Sequence, residues 1–454
     1  MLFFRISMKV KTKYFILAFL VLPVVHLKSQ EKWDLKKCIN YAMENNLEHH
    51  IFQLDEEATG VNFLQSKMNM LPGISAETRY GISYGRSTDP NTNDIINTEH
   101  FSNSYGLSAN VCLFQGFEQI NTISYYNYRK KAGYWNTLKS KDDLAFSVLM
   151  AYYDIIYYRG LVRITREQLD LSAYNLKKVE TEVSIGTKSN ADLTEIQANY
   201  EYEKLNYVQA KNNLAEAEII LAKTLNLPVD KEIAIIYDSN QIFLEPEISD
   251  VNDSVIYRFL EVAPVLQSSE AMLYAAKKNI AMQRGSYYPN MYFVASMGTG
   301  YYETDTDASG NITSFNTQLN NNLNQYIGIR LSIPIFQRYN NISNVKQAKI
   351  DYEKAVSDYQ DQKLELYYQV SNDIRKREAL KVEYFQLEKQ VEANELAYKA
   401  ASRKYEEGLF GIIEMLTVKS RLASSKSQLL QTRLQWEIQY KLMEFYKGVR
   451  FWEL

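Results

Sequence analysis

Adjacent imidazoles at His49 and His50 are the first residues that could do chemistry, because histidine pairs can hold a metal. Neighbouring side chains on a helix diverge, however, and no cysteine or carboxylate set stands around them at ligand spacing. The pair therefore reads as structural or solvated. The chain has no glycine-rich phosphate loop, no nucleophile elbow and no Cys-x-x-Cys. The expectation is no enzyme, no cofactor and no metal, so the energy for any work must come from a partner. Asn311-Ile312-Thr313 matches a glycosylation acceptor, a tripeptide common by chance in Asn-rich stretches. Two other sets of residues stand out. Glu77, Arg79 and Arg330 are charges set into alternating apolar–polar stretches, where they could line a wet passage and tune a pore, or stand as passive wet-face residues. Gly186, and the pair Gly408 and Gly411 in "KYEEGLFGIIEML", interrupt long helix-forming runs. Glycine costs about 1 kcal/mol in a helix interior, so these breaks mark places where a helix has to turn back.

The elements that carry these residues repeat. "LFQGFEQI" from Leu113 returns as "IFQRYNNI" from Ile335, and the same offset of 222 residues carries Gly186 onto Gly408 and Asp192 onto Glu414. Pro72 and Pro289 stand before corresponding strands. The reading is a signal peptide at 1–29, a first repeat at 30–227, an equatorial linker at 228–251 and a second repeat at 252–454. Each repeat holds a helix, two strands (73–85 and 101–114; 290–301 and 325–336) and a long helical hairpin (118–226 with its tip near 186; 339–448 with its tip near 408). A short strand is expected in the linker around Ile233–Tyr237.

Along the first strand Ile74, Ala76, Thr78, Tyr80, Ile82 and Tyr84 oppose Ser75, Glu77, Arg79, Gly81 and Ser83. Phe101, Tyr105, Leu107, Ala109, Val111 and Leu113 form the apolar set of the second. In the other half Met291, Phe293, Ala295 and Met297, then Ile327, Ile329, Leu331, Ile333 and Ile335, do the same. Period two over about ten residues fits a barrel with lipid outside and a polar lumen. The stretches between paired strands, rich in Asn, Thr, Asp and Ser, read as long solvated loops. Proline is scarce, 8 residues, and none falls between Glu118 and Ile185, so a helix of roughly 100 Å is expected there. Val148, Ile155, Val162, Leu169, Leu176 and Val183 recur at heptad spacing, a coiled-coil seam, as do Tyr384, Val391, Tyr398 and Tyr405.

Lys9, Lys11 and Lys13 precede the apolar run from Tyr14 to Val25, with Ser29 suited to a cleavage site, which reads as an export signal. The net charge of −3 argues against a nucleic-acid partner. The 36 tyrosines suit surfaces that are half apolar and half wet. Cys38 and Cys112 fall in distant segments and are expected as free thiols.

In order and spacing these features resemble the TolC-like outer membrane factor family, the outer membrane efflux proteins, over essentially the whole mature chain. The resemblance is carried by "WDLKKCINYAMENNL" from Trp33, Pro72 and Pro289, "LFQGF" and "IFQRY", and the two glycine breaks. It implies an α+β membrane protein: a homotrimer whose 12-stranded β-barrel, four strands per chain, sits in outer-membrane lipid and continues as an α-helical coiled-coil tunnel across the periplasm. Its partners would be a periplasmic adaptor (membrane fusion protein) and an inner-membrane pump. It places a periplasmic gate at Asp192, Tyr405 and Glu414, where a ring of Glu414 carboxylates would favour cations, and adaptor-docking tips at Gly186, Thr187, Gly408, Leu409, Phe410 and Gly411. Two positions depart from the family pattern. Phe410 stands where an arginine partner occurs, and Thr417 where a second acidic ring occurs. Exposed Leu409 and Phe410 would form the docking knob. The functions to weigh are an exit duct for drug or small-molecule efflux, an exit duct for type I protein secretion, and a filamentous coiled-coil envelope protein without a pore.

Overall fold

Capping side chains and chain-reversing turns set the element boundaries. The computed structural model describes residues 31–88, 93–97, 99–228, 233–237 and 253–453. The signal peptide expected at 1–29 and most of the expected linker therefore lie outside the described residues. A short strand β1 (Glu31–Trp33) leads to α1 (Leu35–Asn45), where the Asp34 carboxylate accepts from Lys37 N at 2.8 Å. Asn46 then caps α2 (Leu47–Met68), accepting from His49 N at 2.9 Å. Next come β2 (Gly73–Ser83), a small hairpin of β3 (Arg86–Thr88) and β4 (Ile95–Asn97), and β5 (His100–Gln115). The hairpin α3 (Glu118–Ser184) and α4 (Asn190–Thr224) ends the first half. Strand β6 (Ile233–Ile235) pairs in parallel with β1. The second half runs through α5 (Asp253–Val262), α6 (Pro264–Gly285), β7 (Asn290–Tyr302), α7 (Phe315–Asn321) and β8 (Asn324–Ser332) to the hairpin α8 (Asn340–Glu406) and α9 (Ile412–Tyr446).

The main sheet is antiparallel in the order β2-β5-β7-β8. Its register puts Ala76 opposite Leu107, Leu107 opposite Met297, and Ala295 opposite Ile327, so the apolar sets share one face. Ser75, Ser108 and Ser296 line up on the other face, with the Ser75 and Ser108 hydroxyls 2.8 Å apart. A bulge at Leu113 shifts the register and brings Phe114 opposite Met291. The outer edges of β2 and β8 have no strand neighbour among the described residues. Two details differ from the sequence reading. Strand β8 stops at Ser332 rather than reaching 336, because β7 begins at Asn290, opposite Ser332, and Pro334 lacks an N–H. Ile335 is left 95% exposed beyond it. The inter-strand stretches are also not plain loops, since they hold the β3–β4 hairpin and α7. Helix α7 closes the top of β7, where β8 no longer reaches. The buried Gln318 amide accepts from Tyr302 N at 2.9 Å and donates to Tyr302 O at 3.0 Å, and Asn322 donates to Gly300 O at 2.9 Å.

Helices follow the order of the strands: α3 packs between α2 and α6, and α8 lies on the far side of α6. The main core sits at the waist, where Trp33, Cys38 and Ile39 meet Val148, Leu149 and Ile155 of α3, Leu221 of α4, Phe259 of α5 and Met443 of α9. Both cysteines are free. The chain end is pinned there by Arg450, which donates to Asp142 at 2.6 Å.

Each passage from strand to long helix uses two consecutive left-handed residues, Gly116 (φ 56°) and Phe117 (φ 62°), then Arg338 (φ 49°) and Tyr339 (φ 68°). Gly116 has a second reason to be glycine, since a Cβ there would lie 2.4 Å from the Gly285 carbonyl. Gly116→Ala should therefore lower stability by about 2 kcal/mol or more, while Arg338→Gly should raise it by about 1 kcal/mol. Melting temperatures of the purified variants check both signs.

Candidate functional site

Two helix reversals form one end of the molecule. At each, the chain leaves the helix through a left-handed glycine, Gly186 (φ 79°) and Gly408 (φ 73°). Thr187 N donates back to Glu182 O at 2.9 Å and Gly186 N to Val183 O at 3.0 Å, and Leu409 N and Gly408 N repeat this with Lys404 O and Tyr405 O at 2.8 and 3.1 Å. This pairing satisfies carbonyls that a helix end otherwise leaves bare. Side chains with a Cβ would be strained at either glycine.

The returning helices start differently. Ser189 and Asp192 form a reciprocal cap on α4: Ser189 Oγ accepts from Asp192 N at 3.2 Å, and the Asp192 carboxylate accepts from Ser189 N at 3.2 Å and Ser189 Oγ at 2.8 Å. Those donors hold the Asp192 carboxyl below its ordinary range. Within a single chain, Asp192 is thus engaged with its own helix start. Helix α9 begins at Gly411 without a side-chain cap, and Glu414 lies exposed in its first turn, where a negative charge suits the helix N-terminus.

Between the tips lies a second, smaller core. Val179 of α3, Ile196 of α4, Tyr405 of α8, and Ile412 and Met415 of α9 are buried together. The knob reading needs correction at Phe410, which is half-buried against this cluster with the Lys404 ammonium 4.7 Å from its ring centre. Leu409 is 69% exposed. Tyr405 is buried beneath the Lys188 ammonium, 4.8 Å from its ring centre. Burial, reinforced by the nearby Glu182 and Asp192 carboxylates, pushes the Tyr405 phenol above its ordinary range. The Tyr405 hydroxyl and Glu182 Oε2 are both buried without a hydrogen-bond partner among the described residues.

Further along α9, Lys419 is only 2% exposed. It crosses between the hairpins, donating to Glu203 of α4 at 3.1 Å and to Gln168 O of α3 at 3.3 Å. Burial pulls the Lys419 ammonium below its ordinary range, and Glu203 opposes that pull. Each hairpin also has a buried polar contact of its own, Asn199 to Ser172 at 2.7 Å and Asn394 to Ser425 at 3.2 Å. The sequence reading missed Glu182, Lys188 and Lys419. A signal existed for the last, since Met415, Lys419 and Leu422 follow a buried-stripe spacing with a charge in the middle.

The remaining candidates sit on the polar face of the sheet. Arg79 donates to Glu77 at 2.9 Å on an open surface, where such a pair adds little stability. Arg330 stands over the Tyr292 ring at 5.5 Å. The imidazole of His49 is buried, with Nδ1 2.8 Å from Ser140 Oγ and Nε2 3.1 Å from Gln53 Nε2. Among the described residues no group of His, Cys, Asp and Glu is arranged to hold a metal ion, and no helix is long and apolar enough to cross a membrane.

Removing one partner of a buried ion pair strands the other. Lys419→Ala should therefore cost about 3–5 kcal/mol, while the paired change Lys419→Met with Glu203→Leu should recover most of it. Thermal unfolding of the single and double variants measures the difference.

Comparison with known proteins places this geometry. The outer membrane efflux protein family profile matches residues 53–227 and 255–445. A probable efflux pump outer membrane protein of Pseudomonas putida, TtgC, is 22% identical over 407 residues, 88% of this chain and 80% of that protein. The toxin and drug export protein A of Aggregatibacter actinomycetemcomitans is 22% identical over 369 residues, 80% of this chain and 75% of its own. Among solved structures, the CmeC outer membrane channel of Campylobacter jejuni superposes with a TM-score of 0.78 at 14% identity, covering 92% of this chain and 85% of that one. With the family profile covering most of its length in two blocks that each end in a long helical hairpin, the chain belongs to the outer membrane efflux protein family.

Proposed function

We propose that the protein is a passive exit duct in the outer membrane, the outermost part of a tripartite efflux pump for drugs or other small molecules. One observation carries this reading. A four-stranded sheet with an apolar and a polar face, unpaired at both edges, stands at the end of helices about 100 Å long. Four strands cannot close in lipid, where eight is the usual minimum, so the barrel must be shared between chains. Three copies give twelve strands. The apolar face then meets outer-membrane lipid, and Glu77, Arg79 and Arg330 line the lumen. The helices meet their neighbours in the same way: α2 and α8 flank the α3–α6 pair, and α2 carries Leu47, Ile51, Leu54, Val61 and Met68 exposed along one side.

In this reading the two halves are copies of one unit, exported behind a signal at 1–29, and the hairpins span the periplasm. The tips Gly186, Thr187, Gly408, Leu409, Phe410 and Gly411 dock a periplasmic adaptor, which couples the duct to an inner-membrane pump. Asp192, Tyr405 and Glu414 stand at the entrance. Adaptor binding at 184–193 and 405–414 splays the hairpins. Export of proteins through the same duct is a second reading, favoured by the relative named for both toxin and drug export.

Purified protein should run in detergent at about three times its 52.8 kDa chain mass and form channels in planar bilayers. A monomer with no conductance at any voltage would remove the duct. Deletion should sensitise cells to drugs and dyes. Unchanged sensitivity together with an exported protein retained inside would shift the assignment to secretion.

A further inference from the structure

The family resemblance makes Tyr405 a partner in a network that closes the entrance. The geometry of the tip points elsewhere. Val179 and Ile196 come from the first hairpin and Tyr405, Ile412 and Met415 from the second, so this small core is itself the contact between the hairpin ends. Two polar atoms here have no hydrogen-bond partner among the described residues: the Tyr405 hydroxyl, which belongs to this core, and Glu182 Oε2, whose carboxylate lies near enough to act on it. They belong to opposite hairpins, α8 and α3. Asp192 does not accept from the Tyr405 hydroxyl, and its Oδ2 takes both donors of the Ser189 cap. Lys188 sits over the face of the phenol ring, which it attracts without bonding the hydroxyl. Both orphan atoms are inaccessible within a single chain, so another copy laid against the outside could not bond them without first parting the cluster.

We infer that the Tyr405 hydroxyl and the Glu182 carboxylate work against the closed tip, and that the apolar contact of Val179, Ile196, Ile412 and Met415 is what holds it. A buried polar group without a partner loses its water and gains nothing in return. Parting the hairpins restores water to both groups, so they lower the work an opening partner must do. The Lys419 contact marks where the parting stops. It lies seven residues beyond Ile412, about 10 Å along α9, and its ammonium is bonded to Glu203 and to the Gln168 carbonyl. Opening is therefore a local splaying of the last turns, hinged at that tie. Glu182 becomes a gate residue that the family pattern does not supply, and Tyr405 keeps its place at the gate with the opposite sign.

This inference rests on the duct reading, and its test separates the two. The full-length protein is compared with Tyr405→Phe, Tyr405→Phe combined with Glu182→Leu, and Ile196→Val, by basal open probability in planar bilayers and by melting temperature. Tyr405→Phe should reduce basal opening about fivefold or more, the double variant should reduce it further, and both should melt higher. Ile196→Val, a mild trimming of the apolar contact, should raise basal opening about two- to tenfold. More opening or a lower melting temperature in Tyr405→Phe would overturn the inference and return the hydroxyl to a holding role. No change in either measurement would overturn it as well. If the unaltered protein forms no channel, the duct reading falls while the melting temperatures still decide whether the two groups burden the closed tip.

Discussion

Backbone amides and carbonyls left bare in hydrocarbon cost several kcal/mol each, and this constraint organises the proposed duct from one end to the other. The sheet β2-β5-β7-β8 satisfies its interior ladder but, among the described residues, leaves the outer edges of β2 and β8 open. A chain with such edges is incomplete in a membrane. In the proposed duct, closure by like copies would resolve it, and because each long hairpin follows a strand, closing the sheet would also close a ring of helices beneath. The left-handed turns at Gly116-Phe117 and Arg338-Tyr339 transmit one closure to the other, because they fix how each strand enters its helix. The close approach of Gly116 to Gly285 then ties the first half's turn to the second half's helix.

Packing along the helices is uneven in a way that suits a tunnel. The waist holds a large apolar core that draws on α1, α3, α4, α5 and α9, and it anchors the chain end through Arg450 and Asp142. Between the waist and the tips polar contacts join buried apolar side chains such as Leu380, Leu387 and Leu422: Asn199 with Ser172, Asn394 with Ser425, and Lys419 with Glu203. Polar groups inside a coil specify register more than they add stability. The buried apolar cluster is thus large at the waist and small at the tips.

Local periodicity made much of the architecture readable from sequence. Alternation in Ile74–Tyr84 follows from the period of a strand with two different faces, and the structure forms β2 over Gly73–Ser83. Gly186 and Gly408 announced the reversals because left-handed backbone favours glycine so strongly. Failures came where the deciding partner is distant or the local pattern is weak. The pairing of Lys419 with Glu203 joins residues 216 positions apart, and no spacing rule connects them. Phe410 looked exposed because its neighbours are glycine and leucine, whereas its ring packs on a cluster drawn from four helices. Helix α7 hid in an Asn-rich stretch whose capping residue, Ser314, is as common in loops. For Tyr405 heptad spacing announced a buried position, but the state of its hydroxyl depends on what surrounds it in space.

The amides that finish β7 have a consequence for how this surface can change. Gln318 bonds both backbone groups of Tyr302 as a neighbouring strand would, and Asn322, one helical turn later, takes the Gly300 carbonyl. Two side chains on one short helix thus stand in for a strand that has already ended. The stretch that follows β7 joins the seal at its two ends: Glu303 pairs with Phe101, Asp305 N donates to Tyr302 O, and Gln318 also donates to Thr313 O. Between those ends Asp307, Ser309, Gly310 and Asn311 are bonded to one another, so a substitution among them leaves the amides that finish β7 in place. The ladder beneath would not register the change.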